Sequence, residues 1–255
     1  MSLLALRDCS IRFGGLVALA ELTFDIEKGE IFGLIGPNGA GKTTVFNLIT
    51  GVYAPTKGSL EFEGASLAGL RPFEINRRGI ARTFQNIRLF GEMTVLDNVI
   101  AGIHYTGGKG LFRAIFRSPS FILEERRLRK RAKDLLEAFG LLEYAGEAAH
   151  NLPYFAQRRL EIARAMATNP RLLLLDEPAA GGNPSEKKAL MGLIRDLRDR
   201  HGITILLIEH DMRVVMGICE RLLVLDHGHT IARGKPEEIR RHPEVIKAYL
   251  GAEVA

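Results

Sequence analysis

Two short stretches carry residues able to handle a phosphate chain. Gly36–Thr43 reads GPNGAGKT and fits G-x-x-x-x-G-K-[ST], with an apolar run before it and a helix-forming run after it. In such a loop the glycines let backbone N–H groups turn inward around phosphate oxygens, and the helix that follows adds a favourable dipole. The candidate cradle is Gly36, Pro37, Asn38, Gly39, Ala40 and Gly41, continued by Lys42, Thr43 and Thr44. Lys42 would neutralise β/γ-phosphate charge, and the Thr43 hydroxyl suits Mg²⁺. The competing reading, a plain glycine turn between strand and helix, accounts for none of the four fixed positions together.

The second stretch, RLLLLDEP, ends an apolar run in Asp176 and Glu177. A carboxylate there sits at the C-terminal edge of a sheet, where open α/β sheets bind ligands. Asp176 suits the Mg²⁺ shell, directly or through water, and Glu177 is placed to polarise an attacking water as general base. An apolar run before Asp–Glu is common by itself; beside a phosphate loop it gains meaning. His210 closes ITILLIEH and Gln85 lies in ARTFQNIRLF. Taken singly, a structural histidine and a loop hydrogen bond explain them better. As functional groups, His210 would donate to a γ-phosphate and Gln85 would approach Mg²⁺ or the attacking water.

These residues need a frame. Leu3–Leu6 and Leu22–Ile26 alternate as half-buried strands, EIFGLI reads as a buried strand, and GSLEFEG as a further strand. From about Phe84 to Ala167 the pattern turns helical, with Leu128, Ala132, Leu135, Leu136 and Phe139 on one face. The stretch GIHYTGGKGLFRAIFRSPS, Gly102 to Ser120, reads as a loop because of its glycines. Strands and helices then alternate through RLLLLDEP, a helix over Leu190–Arg200, ITILLIEH, another helix and RLLVLDHG. That alternation predicts a largely parallel sheet covered on both faces, interrupted by a helical insertion.

Composition narrows the classes. With 46% hydrophobic and 25% charged residues in 255, the chain can bury one large core. The net charge of +5 could suggest nucleic acid or an anionic membrane. However, the basic run Arg126–Lys133 includes a Glu125–Arg129 i,i+4 pair and is read as a solvated helix face. Cys9 and Cys219 are far apart without ligand spacing, which fits a reducing compartment. The N-terminus reads as lacking a signal peptide. The longest apolar runs are strand-sized, short of the roughly 18 residues of a membrane helix, so any membrane role is expected by docking.

In order, the phosphate loop, Gln85, LEIARAM, LLLLDEP and IEHD resemble the ATP-binding-cassette ATPases over nearly the whole chain. ARTFQNIRLFGEMTVLDNV, QRRLEIARAM, LLIEHDMRVVMGI and PEVIKAYLGA look closer still to the ATP-binding subunit of bacterial branched-chain amino acid importers. The resemblance implies an α/β fold: a RecA-like P-loop core with a small antiparallel β subdomain (1–84 and 168–255) and an inserted α-helical subdomain (85–167). It implies ATP and Mg²⁺ as cofactors, Phe13 stacking on adenine, Gln85 as the coupling-loop residue, His210 as the switch histidine, and Asn183 facing a second subunit. It further implies ATP hydrolysis coupled to transport, with transmembrane permease subunits and a second ATP-binding subunit, identical or different, as partners. A periplasmic binding protein would be met only indirectly and nucleic acid not at all. The location implied is peripheral, on the cytoplasmic face of the inner membrane.

One segment departs from that family. Where the branch usually has Leu–Ser–Tyr–Gly–Gln–Gln, this chain has Leu152, Pro153, Tyr154, Phe155, Ala156 and Gln157, and Gly182 replaces a usual Leu. Pro153 offers no hydroxyl to a phosphate or to the helix end, although proline is tolerated at a helix start. The Phe155 side chain is expected to obstruct the close backbone approach that glycine permits. The alternative to an importer ATPase is therefore an ATP-binding interaction module with little turnover of its own. A DNA- or ribosome-acting cassette is disfavoured by the importer-like helical segment.

Overall fold

The computed structural model describes residues 2–107 and 119–252. The chain divides into two compact units, Met1–Arg82 with Arg171–Ala255, and Thr83–Pro170.

In the first unit two sheets share one core. The strands β1 (Ser2–Phe13), β2 (Leu16–Glu27), β4 (Lys57–Phe62) and β5 (Ala65–Ser66) form an antiparallel sheet in the order β2-β1-β4-β5. Their alternating polar and apolar residues leave one face for the core. The second sheet has the order β10-β9-β3-β8-β7-β6: β10 (His229–Gly234), β9 (Arg221–Asp226), β3 (Ile31–Ile35), β8 (Thr204–Ile208), β7 (Leu172–Asp176) and β6 (Ile80–Arg82). All neighbours are parallel except the edge pair β10–β9. The strands β3, β7 and β8 are continuous apolar runs, buried at every residue, as strands covered on both faces must be. Helix α1 (Lys42–Ile49) buries Val45, Phe46, Leu48 and Ile49 in the core that joins both sheets. Phe24 of β2 and Phe32 of β3 stack there with centroids 5.6 Å apart. Helix α2 (Pro72–Arg77) leads into β6, a strand of three residues too short to show a period.

The remaining first-unit helices are α6 (Pro184–His201), α7 (Met212–Ile218), α8 (Pro236–Ile239) and α9 (Pro243–Ala252). Helix α6 starts earlier than its apolar spacing suggested. Asn183 accepts from the Glu186 N–H at 2.9 Å and donates its own N–H to Glu186 at 2.8 Å, a capping box with Pro184 at N1.

The second unit holds α3 (Val95–Gly107), α4 (Pro119–Ala138) and α5 (Tyr154–Ala167). The apolar face expected on α4 is in place, since Ala132 and Leu136 are buried and Leu128 and Leu135 half-buried. Glu125 and Arg129 pair on its exposed side at 3.2 Å. The expected loop at Gly102–Ser120 is corrected at both ends, because α3 runs through Gly107 and α4 begins at Pro119. Gly102 is a packing residue: a Cβ there would stand 2.6 Å from the Arg164 carbonyl and 2.9 Å from Ala167 Cβ of α5. Residues 108–118 of that stretch lie outside the described residues. Among the described residues no helix is long and apolar enough to cross a membrane.

Candidate nucleotide-binding site

The order β3-β8-β7 decides which chain segments meet. Leu34 is in register with Ile208, and Ile208 with Asp176, so the three strands end at one level. The phosphate loop leaves β3, the His210 turn leaves β8, and the Asp176–Glu177 segment leaves β7.

Gly36 takes φ 151, and an added Cβ would strike the Leu225 carbonyl. Gly41, at φ 101, caps α1 without a side-chain hydrogen bond, so the first N–H groups of the helix remain available to a ligand. Asn38, Gly39 and Thr43 are exposed, Pro37 and Thr44 half-buried, and Ala40 buried. Lys42 turns back into the loop and donates to the carbonyls of Gly36 at 2.7 Å and Pro37 at 2.8 Å. Burial pushes its pKa below the usual lysine value, opposed by the carboxylates of Glu177 and Asp176. That opposition places both acidic groups within electrostatic reach of the ammonium.

Asp176 is buried and pairs with Arg82 of β6 at 3.0 Å, while the same guanidinium donates to Asn47 of α1 at 2.7 Å. Glu177 adopts a left-handed φ of 49, and its N–H donates to the Ile208 carbonyl at 2.9 Å. Left-handed backbone at a non-glycine residue costs energy and recurs at functional positions. His210 is exposed, with Nδ1 3.7 Å from Glu177 Oε2. Asp211 caps α7 by accepting from the Arg213 N–H at 2.9 Å and pairs with Lys187 of α6 at 2.7 Å. The hydrogen bond from Lys187 holds its carboxyl below the usual range. Phe13, at the end of β1, is 44% exposed and meets Tyr53 edge-on at 5.0 Å. It is therefore a surface aromatic and not a core residue.

The structure thus brings Lys42, Asp176, Glu177 and His210 to one edge of the sheet. Gln85 belongs to the second unit and is described there. Its side chain is exposed, and its carbonyl accepts from Arg158. Arg158 and Glu161, which motif reading missed, bond the backbone of the segment that carries Gln85. They are buried on α5 and 3.4 Å apart; Arg158 also donates to the Phe84 carbonyl at 2.8 Å and to the Tyr154 hydroxyl oxygen at 3.0 Å. Glu161 accepts from the N–H groups of Phe84 at 3.3 Å and Arg88 at 3.4 Å. Their signal was an Arg and a Glu three residues apart on an otherwise apolar helix face. Also missed was the β9–β10 turn. Gly228 donates its N–H to the Ala40 carbonyl at 3.0 Å, while its carbonyl accepts from Ala20 N–H at 3.0 Å, bracing the phosphate loop against β2.

The signature region brings a second correction. Pro153 caps α5 at φ −52 and ψ 145 with no side-chain hydrogen bond, as a proline must. The Gln157 side chain instead closes the helix entry by donating to the Leu152 carbonyl at 2.8 Å. Phe155, expected to obstruct the surface, is only 7% exposed, and the exposed aromatic of this turn is Tyr154 at 49%. The first helical turn aims successive side chains about 100° apart, so one of two adjacent aromatics goes inward.

Phosphate loop, acidic strand end and strand-end histidine on a parallel sheet, beside a small antiparallel sheet, define an ATP-binding cassette. Residues 19–180 match the ABC transporter family model and residues 229–255 the branched-chain amino acid ATP-binding cassette transporter model. The high-affinity branched-chain amino acid transport ATP-binding protein LivG is 51% identical over 249 residues in Salmonella typhimurium and in Escherichia coli K12, covering 98% of both chains. BraF of Pseudomonas aeruginosa, described in the same words, is 47% identical with the same coverage. The solved ADP conformation of an ATP-binding cassette of an ABC transporter superposes with a TM-score of 0.86 at 31% identity, covering 98% of this chain and 99% of that one. This chain belongs to the ABC transporter family as an ATP-binding cassette, and nucleotide binding follows from that membership.

Proposed function

We propose that this chain binds ATP with Mg²⁺ and hydrolyses it as the ATP-binding subunit of a bacterial importer for branched-chain amino acids. The observation that carries the reading is the meeting of Lys42, Asp176, Glu177 and His210 at one sheet edge, with Glu177 and His210 3.7 Å apart. The N–H groups of Gly36–Gly41 with Lys42, Thr43 and Thr44 receive the phosphates, and Phe13 stacks on adenine. Thr43 and Asp176 suit the metal. Among the described residues no group of three or more His, Cys, Asp or Glu could hold an ion by itself. Mg²⁺ needs no such group, since it takes one or two protein oxygens, substrate phosphates and water. Thr43 and Asp176 are hard oxygen donors and fit; the bound ion would draw charge from the phosphates.

Glu177 orients and deprotonates the attacking water, and His210 donates a hydrogen bond to the γ-phosphate. A second ATP-binding subunit, like or unlike this one, completes each site across a dimer. Permease subunits dock on the unit Thr83–Pro170 at the cytoplasmic face of the inner membrane, and the periplasmic binding protein is met only through them. The selected amino acid class rests on relatives named for branched-chain amino acid transport that match from end to end. A binding module without turnover is the weaker reading, because Phe155 is buried and the missing hydroxyl at Pro153 is the one ground for it that remains.

Steady-state ATPase and ATP affinity test the proposal. Glu177→Gln is expected to lower turnover by at least about a hundredfold, the loss typical of a positioned general base, with ATP affinity within about threefold of wild type. Retained turnover would refute the role of Glu177.

A further inference from the structure

Glu209 is a carboxylate that none of these roles uses. It follows the last residue of β8 and is 1% exposed. Its Oε1 accepts from the N–H of Ala179 at 2.7 Å, and its Oε2 accepts from the N–H groups of His210 at 3.1 Å and Asp211 at 3.3 Å. Ala179 is two residues beyond Glu177 and is itself buried. One side chain therefore ties the segment leaving β7 to the turn leaving β8, the two segments that carry Glu177 and His210.

Charge and geometry make this position specific for a carboxylate. An ionised carboxylate is an acceptor only, with sites for several N–H groups on two oxygens. Three backbone donors converge on it, one on the first oxygen and two on the second. Burial raises its pKa, and these N–H groups with His210 oppose the rise. An amide of the same shape has one accepting and one donating end. It would set an NH₂ against the N–H of Ala179 or against those of His210 and Asp211, and a buried donor left without an acceptor is costly.

The segment held by Ala179 has little freedom of its own. Glu177 is fixed by its N–H bond to Ile208 and by its left-handed φ, Pro178 follows, and Ala180 donates to the Glu177 carbonyl at 3.2 Å. Releasing one end of the tie would loosen Pro178–Ala180 beyond Glu177, and releasing the other would loosen the turn that carries His210; neither end belongs to the phosphate loop. We propose that Glu209 is a positioning residue for hydrolysis: its buried carboxylate holds the Glu177 segment and the His210 turn in one fixed relation. The inference rests on the roles proposed for Glu177 and His210.

The test combines a readout of the tie itself with kinetics. In wild-type protein, hydrogen exchange should show the amides of Ala179, His210 and Asp211 protected. In Glu209→Gln, protection should fall on one side of the tie while that of β7 and β8 stays. Exposed-loop exchange rates at all three amides in the wild type would overturn the proposal without any variant. Turnover of Glu209→Gln should drop roughly 10- to 100-fold, the equivalent of one lost charge-assisted hydrogen bond, with KM for ATP and Tm little changed. Equal losses in KM and Tm would show a purely structural role, and wild-type turnover would show none. In a Glu177→Gln background the second change should lower turnover no further, whereas an additive loss would contradict action through Glu177. If Glu177→Gln alone keeps full turnover, the catalytic reading fails, and the exchange pattern still decides whether the tie exists.

Discussion

Reverting Pro153 and Phe155, two of the three changed signature residues, separates two readings of the segment, because the structure gives these two different energetic weights. Pro153→Ser places a hydroxyl at the N-cap of α5, where backbone angles of φ −52 and ψ 145 already suit a capping serine. The oxygen can accept from the N–H of Ala156, a gain of about 1 kcal/mol. Losing the proline frees the unfolded chain, at a cost of about 0.4–1 kcal/mol, so the net change is close to zero. Phe155→Gly is different in kind. Phe155 is 7% exposed; truncating a buried phenylalanine costs about 3–5 kcal/mol, and glycine in a helix adds about 0.5–1 kcal/mol. That is a large share of the 5–15 kcal/mol typical of a whole domain. Urea unfolding and hydrogen exchange over Tyr154–Ala167 should show Pro153→Ser near wild type and Phe155→Gly strongly destabilised, with Phe155→Leu in between. Turnover should rise with Pro153→Ser, which restores a donor, and not with Phe155→Leu. If Phe155→Gly costs less than about 1 kcal/mol and raises turnover, the ring stands at the surface after all and this reasoning is wrong.

Two further outcomes follow from buried contacts. Burial raises the Glu161 pKa above its reference of 4.5, opposed by the Phe84 N–H and by Arg158. A raised folded value gives stability that is fully present below the unfolded pKa and is lost as pH rises through the folded one. Relative to Glu161→Gln, wild type should therefore lose stability as pH climbs from about 4.5, by up to about 1.4 kcal/mol per unit. Denaturant midpoints across pH would refute this if the gap moved the other way. Gly228→Val should weaken both fold and ATP binding. Gly228 sits at φ 79, and an added Cβ would stand 2.6 Å from the Ala18 carbonyl oxygen, a backbone atom that cannot swing aside. Left-handed strain of about 1–2 kcal/mol adds to overpacking of about 1–3 kcal/mol. A variant with unchanged Tm and unchanged ATP affinity would show that the turn does not brace the loop.

What could be read from the sequence depended on whether the physics was local. GPNGAGKT, the apolar run into Asp176–Glu177 and the strand before His210 carry their meaning in consecutive residues, so strand, turn and chemistry appear together. The face of α4 was equally legible, because its period repeats over several turns. Gly102 misled for the opposite reason. A glycine marks a loop or a close helix contact, and only the Arg164 carbonyl on α5 decides which. Arg82 and Glu209 were silent because their partners, Asp176 and the Ala179 N–H, are 94 and 30 residues away. Phe155 was misjudged on a finer point. A motif position tells which residue replaces glycine, but the direction of its side chain is set by the helical phase fixed at Pro153. That phase turns Tyr154 outward and Phe155 inward. The substitution therefore alters the packing of α5, and the polar groups lost at the signature are the serine hydroxyl at 153 and the glutamine amide at 156.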